Sequence, residues 1–325
     1  MEILTYNANT LFSDMLWRFK TSGVPVDTRN GPALRIAEPV LTRVVKPRER
    51  VLFDSRRDAN PIFHLMESIW MLAGRRDVEF LQQFNSKIGQ YSDDGEVFNA
   101  AYGHRMRHHF GQDQLIGVIN QLRDNSDSRQ AVVQLWDPDD LNKSTLDKAC
   151  NTQLIFEVFN GRLNLTVINR SNDAWYGYCG ANIVHFTVIQ EFVAAAVGKA
   201  LGEYRTFTNN LHIYTELYDA GDYLKNPPNY EINLYSQGVS SLPLLDNSNH
   251  LKFLQECETF CENPFDESHE YFHPFFSRVA RPMAMVSRVR KLKQANGREW
   301  AQKIRAADWR RAVFDWIDRR EAAKR

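Results

Sequence analysis

The chain of 325 residues is 43% apolar and 12% aromatic, and its 40 basic and 40 acidic side chains balance. Such a composition is typical of an ordinary globular protein whose core forms one unit or two. No unbroken apolar run approaches the ~20 residues that cross a bilayer, and the start MEILTYNANT lacks a secretion-signal pattern, so we predict a cytoplasmic protein with no membrane contact.

The first part of the chain predicts helices separated by extended segments. Residues 10–23 have apolar side chains at near-helical spacing, and residues 33–45 are typical of extended structure. Residues 60–74 predict a helix most clearly, because Asn60 can cap its start and Gly74 follows its end.

Residues 152–169 predict a β-hairpin, since two alternating segments flank Asn160-Gly161, a dipeptide that tolerates the positive φ angles of a tight turn. Residues 182–202 then predict a long apolar helix at the centre of the fold. Residues 114–125 predict another helix and residues 129–138 a strand. Because helices and strands do not alternate regularly, we expect an α+β fold.

The last part of the chain poses two questions about binding. Cys257 and Cys261 have a spacing that puts two sulfurs on one helix face, but no second ligand pair is evident, so we expect core packing and no metal.

Residues 278–325 carry 15 Lys and Arg against five Asp and Glu. They predict two basic helices that break near Asn296, and their charge fits either a phosphate-rich partner or an ordinary solvated surface.

Two side chains are candidates for chemistry by residue type. Cys150 precedes the predicted hairpin and Arg170 follows it, so a nearby guanidinium would lower the thiol pKa and make a nucleophile. Glu67 lies among apolar residues of a predicted helix, which favours a partly buried acid or base. An exposed helix glutamate fits the same periodicity equally well.

The segment KACNTQLIFEVFNGRLNLTVINRSNDAWYGYCGANIVHF resembles the catalytic core of the thymidylate synthase and pyrimidine nucleotide hydroxymethylase family. ESIWMLAGRRDVEFLQQFN resembles the helix of the family's catalytic glutamate, and AAYGHRMR resembles its Tyr-Gly-x-x-Trp-Arg element. DSRQAVVQLWDP resembles its Ser-Arg-Arg strand, and NNLHIY its His-x-Tyr element. The motifs occur in the family's order and lie within residues 10–218.

This resemblance implies a thymidylate synthase-like fold, a mixed β-sheet flanked by helices, for residues 1–274, and a helical extension for residues 275–325. It implies that Cys150 adds to C6 of a pyrimidine nucleotide, with methylenetetrahydrofolate as co-substrate. Glu67 would organise proton transfers through water. The resemblance places two more catalytic residues, Tyr102 near the C5 proton and Asp173 near the folate ring.

The resemblance also implies which side chains contact the nucleotide: Arg29, Arg170, Ser171, Asn182, His212 and Tyr214. The first three would hold the 5′-phosphate, Asn182 would read the base edge, and the last two would bond the ribose 3′-hydroxyl. Arg129 would reach the phosphate site of a neighbouring subunit, which implies a homodimer.

Departures from the family's synthases favour a different product. Synthases carry tryptophans after the glutamate helix, where this chain has residues 86–99 with Gly89 and Tyr91. In the family those aromatics shield a methylene intermediate from water, so their replacement implies water capture and a hydroxymethyl group. Gln130 replaces the second arginine of Ser-Arg-Arg, and Asn151 replaces the histidine after the nucleophile.

The leading hypothesis is a folate-dependent C5 hydroxymethyltransferase of a deoxypyrimidine monophosphate, of the kind phages use to make modified DNA precursors in the host cytoplasm. We favour dUMP over dCMP, because the family's cytidylate hydroxymethylases tend to carry Asp where Asn182 stands. The alternative within the family is thymidylate synthase. The alternative from another class is a non-catalytic nucleotide sensor whose basic tail binds nucleic acid or a partner in replication or nucleotide synthesis.

Overall fold

The computed structural model describes residues 1–216, 232–244 and 249–322, and in these ranges ten strands form two sheets. The large mixed sheet has the order β1-β4-β9-β7-β6-β5, and the small sheet has the order β2-β3-β10-β8. The strands are β1 (Glu2–Thr5), β2 (Gly23–Thr28), β3 (Gly31–Ile36), β4 (Val40–Val44), β5 (Val132–Gln134), β6 (Asn151–Phe159), β7 (Arg162–Asn169), β8 (Asn172–Asp173), β9 (Ala200–Thr208) and β10 (Leu211–Tyr214).

Helices flank these sheets, as the α+β expectation requires. A π-helical segment, Ala174–Ala181, runs directly into the central helix α6. The α-helices of the described ranges are α1 (Ala8–Ser22), α2 (Pro61–Leu72), α3 (Val78–Gln82), α4 (Tyr102–His104), α5 (Gln114–Asp124), α6 (Asn182–Ala196), α7 (His250–Glu262), α8 (Arg281–Lys291), α9 (Gly297–Gln302) and α10 (Ala307–Ala322).

The predicted hairpin is confirmed as β6 and β7. Asn160 and Gly161 form its turn with φ angles of 51° and 73°, which asparagine and glycine tolerate better than other residues. β7 also pairs in parallel with β9. The hairpin therefore lies inside the large sheet. The first residue of β6 pairs with the last residue of β7, so these two strand ends lie side by side.

The predicted helix at residues 60–74 is confirmed as α2. Asn60 accepts the N–H of Phe63 at 3.1 Å, and Gly74 has a φ of 70° just past the helix end. Every residue of α2 except Glu67 is buried, and α2 packs against α6. Glu67 is therefore the position at which this core helix reaches a more polar space.

The central helix is shorter than the sequence predicts. α6 ends at Ala196, Gly198 adopts a φ of 67°, and β9 starts at Ala200, so the last predicted helical residues form a strand. Contrary to expectation, Ala174–Ala196 is long and apolar enough to cross a membrane. However, 83% of the most apolar 18-residue stretch of this segment is buried inside the fold, as in the core helix of a globular protein.

The C-terminal part forms three α-helices, α8 to α10, where the sequence predicts two. Lys293, with a φ of 56°, helps to separate α8 from α9. α8 and α10 pack against α2, and Arg319 and Arg320 each donate to Oδ1 of Asp58, at 2.9 and 2.7 Å. The buried side chains of these helices join the main core, and a domain boundary at residue 274 stays a prediction.

Candidate active site

Cys150 directly precedes β6 and is held by a partly buried tyrosine. The backbone N–H groups of Cys150 and Asn151 both donate to the hydroxyl of Tyr102, at 3.1 and 3.3 Å. Burial raises the pKa of Tyr102, so the hydroxyl keeps its proton. The hydroxyl of Tyr102 thus accepts two hydrogen bonds from the backbone at Cys150 and Asn151, and its own O–H remains available to donate.

Arg170 contacts the segment that carries the nucleophile. Its Nε donates to the carbonyl of Ala149 at 2.8 Å, and a terminal nitrogen lies 3.7 Å from Sγ of Cys150. Burial raises the pKa of the Cys150 thiol, and the charges of Arg170 and Arg29 lower it only in part. The expectation that Arg170 makes this thiol acidic is therefore wrong for the free protein, because burial has the larger effect.

The small sheet brings together four predicted site residues. β8 and β10 pair in parallel with Asp173 beside His212. Nδ2 of Asn30 donates to the hydroxyl of Tyr214 at 3.1 Å, and Asn30 follows Arg29 in the turn between β2 and β3. Burial raises the pKa of Asp173. The turn that carries Arg29 is thus tied to the strand with the predicted ribose ligands.

A cavity of about 200 Å³ is lined by side chains from α2 and α6. Tyr102 lies in its wall and also bonds the backbone of Cys150, so the cavity adjoins the nucleophile. The other polar side chains of the lining are Glu67, Tyr91, Asp147, Asn182 and His185. Its apolar wall includes Trp70, Met71, Leu81, Ile88 and Phe98.

Glu67 is partly buried, which was one of the two alternatives that its periodicity left open, with 19% of its side chain exposed. Its Oε2 lies 3.1 Å from Nε2 of His185 on α6. That nitrogen is buried and makes no hydrogen bond within the described residues, since the two atoms are close but not aligned. The carboxylate and the imidazole therefore share one wall of the cavity with unused hydrogen-bonding capacity.

A chain of amides runs from Asn182 into the large sheet. Nδ2 of Asn182 donates to Oδ1 of Asn172 at 3.2 Å, and Nδ2 of Asn172 donates to Oδ1 of Asn169 at 3.4 Å. Nδ2 of Asn169 bonds Thr206 at 2.6 Å and faces two backbone carbonyls, which only accept. The sheet therefore sets the orientation of all three amides, and Asn182 keeps Oδ1 and one N–H for a ligand.

Two predicted phosphate ligands lie in different places. Ser171 follows Arg170 on the loop between β7 and β8 and is half-buried. Arg129 is exposed and far from Cys150 of its own chain: the carbonyl of nearby Ala131 accepts from Phe156, well along β6, whereas Cys150 precedes its first residue. The fold does not bring Arg129 to the other site residues of the same chain.

The sequence alone did not identify Asp147 and His185. Oδ2 of Asp147 accepts the N–H of Ala100 at 2.7 Å, and burial raises the pKa of this carboxyl. His185 stands three residues after Asn182, so helical periodicity places both on one face of α6. That spacing was a usable signal for His185, whereas Asp147 lies in a loop without periodicity.

The expected loss of aromatic shielding needs a correction. Trp70, Phe98 and Tyr91 all line the cavity, so it keeps an aromatic wall. A Cβ at Gly89 would clash with Nε2 of Gln82 on α3, so residue 89 faces α3. Within the departing segment, it is Ile88 and Tyr91 that reach the cavity.

A mixed sheet that presents a cysteine beside an arginine, next to a cavity with a carboxylate, is the framework of an enzyme that modifies a small phosphorylated substrate through a covalent adduct. The family model described as thymidylate synthase matches residues 56–255. The chain belongs to the thymidylate synthase family.

Three individual relatives of this chain carry names that specify an activity. A protein named deoxyuridylate hydroxymethyltransferase from Pseudomonas phage M6 is 40% identical over 99% of this chain and 95% of the relative. One of the same name from Bacillus phage SP01 is also 40% identical, over 58% of this chain and 53% of the relative. A thymidylate synthase of Symbiobacterium thermophilum is 33% identical over 47% of this chain and 59% of that enzyme.

Proposed function

We propose that the protein is a folate-dependent C5 hydroxymethyltransferase that converts dUMP into its 5-hydroxymethyl derivative. The observation that carries this proposal is the position of Tyr102, which bonds the backbone at Cys150 and lines the cavity with Glu67 and Asn182. A pyrimidine attached to Cys150 would have its base within reach of these groups. The name of the Pseudomonas phage M6 relative, matched along nearly its whole length, supports the same activity.

In this proposal Arg170, Ser171 and Arg29 hold the 5′-phosphate, because planar guanidinium groups bind phosphate oxygens in pairs. His212 and Tyr214 bond the ribose 3′-hydroxyl. The bond between Asn30 and Tyr214 supports this assignment, since it ties the Arg29 turn to the ribose strand.

The covalent chemistry starts at Cys150, whose thiolate adds to C6 of the base and makes C5 nucleophilic. The charges of Arg170 and Arg29 offset part of the effect of burial on the thiol pKa and so favour the thiolate. Glu67 and the protonated hydroxyl of Tyr102 handle the protons at the base, and Asp173 lies next to the ring of the co-substrate.

Thymidylate synthase-like enzymes use methylenetetrahydrofolate, which supplies the one-carbon unit. The cavity suits such a co-substrate, because Trp70 and Phe98 offer flat surfaces to a pterin ring and Leu81 and Ile88 add apolar contacts. Asp147 adds a partly buried carboxyl to the same wall, with its pKa raised by burial, and can hydrogen-bond ring nitrogens.

Uracil is the proposed base. An asparagine amide matches uracil in one orientation and cytosine in the flipped one. Asn172 and Asn169 hold Asn182 in a single orientation, so the site is built for one base. The printed names of the phage relatives, which specify deoxyuridylate, support uracil as that base.

We also propose a homodimer in which Arg129 completes the phosphate site of the neighbouring subunit. Members of the family are typically dimeric. The large sheet leaves apolar side chains exposed that a partner would cover, with Leu4 and Phe159 each 60% exposed and Val132 40%. Arg129 precedes the edge strand β5 of this sheet, which supports a reach towards a partner.

The basic helices of residues 275–325 are proposed as a contact for a partner in nucleotide synthesis or replication. Arg319 and Arg320 already pair with Asp58, so the remaining basic side chains would carry that contact. The proposed place of action is the cytoplasm, that of the host if a phage encodes the protein.

Product analysis in water enriched in oxygen-18 tests the proposed function. With dUMP and methylenetetrahydrofolate, we expect a labelled hydroxymethyl nucleotide and tetrahydrofolate, because water captures the one-carbon unit. dCMP in place of dUMP should react poorly. A methylated nucleotide formed with an equal amount of dihydrofolate would identify a thymidylate synthase instead. Nucleotide binding without any product would favour the sensor.

A further inference from the structure

His185 has a chemical position that the assigned roles do not use. Its ring is only 3% exposed, yet it lines the cavity of about 200 Å³. Its Nε2 is buried and has no hydrogen bond within the described residues. A buried polar atom without a hydrogen bond destabilises the fold, so such an atom at a cavity wall indicates a ligand or a water that bonds to it during function.

A second buried histidine shows that burial alone does not create this arrangement. His64 on α2 lies with its ring centre 6.5 Å from that of His185, and it is also nearly inaccessible. Unlike His185, it does not line the cavity. Burial and the charge of Arg57 hold the pKa of His64 well below its usual range, so it stays neutral. The two rings are neighbours, but only one faces the reaction space.

A carboxylate lies beside His185 at the cavity wall. Oε2 of Glu67 lies 3.1 Å from Nε2, and Asn182, the proposed base reader, stands one helical turn before His185 on α6. A water that contacts both atoms from the cavity side would find two acceptors, with the nucleotide base nearby. The rest of the wall is largely apolar, so this is where the cavity can hold and polarise a single water.

Resting on the proposed function, we infer that His185, with Glu67, binds the water that captures the methylene intermediate and takes its proton. The water oxygen bonds to the exocyclic methylene carbon, the electron pair of that C=C bond moves into the ring towards O4, and the proton passes to Nε2. The C5–C6 double bond then re-forms as the thiolate of Cys150 leaves C6. The proton on His185 returns through water to this thiolate.

A reaction without folate isolates this step. Incubated with 5-hydroxymethyl-dUMP in oxygen-18 water, the wild-type protein should exchange the hydroxymethyl oxygen, because Cys150 adds to C6, hydroxide leaves as water, and labelled water adds back. His185→Gln keeps a hydrogen-bonding group but cannot take a proton, so exchange should slow by about 100-fold or more. His64→Gln is the matched control and should exchange within about threefold of wild type, a change of under 1 kcal/mol.

A second measurement separates chemistry from folding. Release of tritium from 5-tritiated dUMP, with co-substrate present, reports steps before water capture. In a single turnover, His185→Gln should release tritium within about tenfold of the wild-type rate while forming little hydroxymethyl product. Exchange by His185→Gln at the wild-type rate, or equal loss of tritium release and exchange, would overturn the role of His185. A wild-type protein that exchanges no oxygen would instead overturn the proposed function itself.

Discussion

The nucleotide end of the site and the cavity end differ in how far their polar groups are already satisfied. At the nucleotide end, Arg170 bonds the backbone beside Cys150, and Tyr102 accepts two backbone N–H groups. At the cavity end, Glu67 and His185 approach each other without a hydrogen bond. The first end is preorganised to hold and attack a nucleotide, whereas the second has free capacity for whatever captures the one-carbon unit.

The largest expected effect comes from removing the nucleophile at the nucleotide end. Cys150→Ser should lower turnover by at least about 10³-fold, because a serine hydroxyl is a far weaker nucleophile than a thiolate. Affinity for dUMP should stay within about tenfold, since the phosphate and sugar contacts remain. Calorimetry and steady-state kinetics measure both. Cys261→Ser, at a buried cysteine on α7, should retain turnover; near-normal turnover in Cys150→Ser would refute the covalent mechanism.

Subunit mixing tests whether the nucleotide end is completed by a partner. Arg129→Ala and Cys150→Ser proteins should each be nearly inactive, and mixing them should restore about a quarter of wild-type activity. Half of a randomly mixed population is hybrid, and each hybrid has one intact site of two. Arg162→Ala, at the far end of the hairpin, serves as the control for loss of an arginine. Subunits that exchange freely without any recovery would argue against a shared site.

The amide chain should control the choice of base. Asn172→Ala releases Asn182 to flip, so the preference for dUMP over dCMP in kcat/KM should fall by about tenfold, which corresponds to ~1.4 kcal/mol. The control is Asn164→Ala, since Asn164 is a buried asparagine at the other end of β7 that accepts the N–H of Glu203. If Asn172→Ala kept the preference for dUMP over dCMP, the base would be recognised without the amide chain.

A bulky group at the cavity end should shift the product. Ile88→Trp fills space beside Phe98 and excludes water, so a minor fraction of methylated nucleotide and dihydrofolate should appear, in the range of a few per cent. Gly89→Trp is the control, because residue 89 faces Gln82 on α3. Mass spectrometry of the nucleotide product distinguishes the two. Equal effects of both variants would show that shielding at the cavity does not decide the outcome.

The smallest effect concerns the thiol in the free protein. The positive charge of Arg170 lowers the pKa of Cys150, so Arg170→Leu should raise that pKa further above its usual value. Less thiolate is then present at any pH below it, and alkylation by iodoacetamide should reach its half-maximal rate at a higher pH. Added salt should leave a smaller difference between the two proteins. An alkylation profile unchanged by Arg170→Leu would show that the charge of Arg170 does not affect the pKa of Cys150.

Local patterns in the sequence identified the parts of the fold that depend on short-range structure. The hairpin at Asn160-Gly161 and the capped helix α2 follow from turn and capping preferences, and both are confirmed. The sequence places the end of α6 too late, because Val197, Ala200 and Leu201 suit a helix as well as a strand. Only the pairing of β9 with β7 decides between these.

In the candidate site, too, short sequence motifs identified some residues, whereas other properties depend on the tertiary structure. Cys150, Glu67 and Asn182 were found because they stand in motifs of neighbouring residues, and their roles stay predictions. The proximity of Glu67 to His185 requires α2 to pack on α6, and the raised thiol pKa requires the burial of Cys150. Neither property exists before the tertiary structure forms, so no reading of adjacent residues could supply it.

The packing of α10 on α2 has a consequence for the order in which the active enzyme forms during synthesis. The helix that bears Glu67 leaves the ribosome early, but Arg319 and Arg320 secure its preceding loop at Asp58 only after more than half of the chain has followed. Because chain segments fold as they emerge, the helix of the catalytic carboxylate lacks part of its packing until residues 307–322 arrive. Nascent chains released before that point should have reduced activity, which couples the appearance of full catalysis to the synthesis of α10.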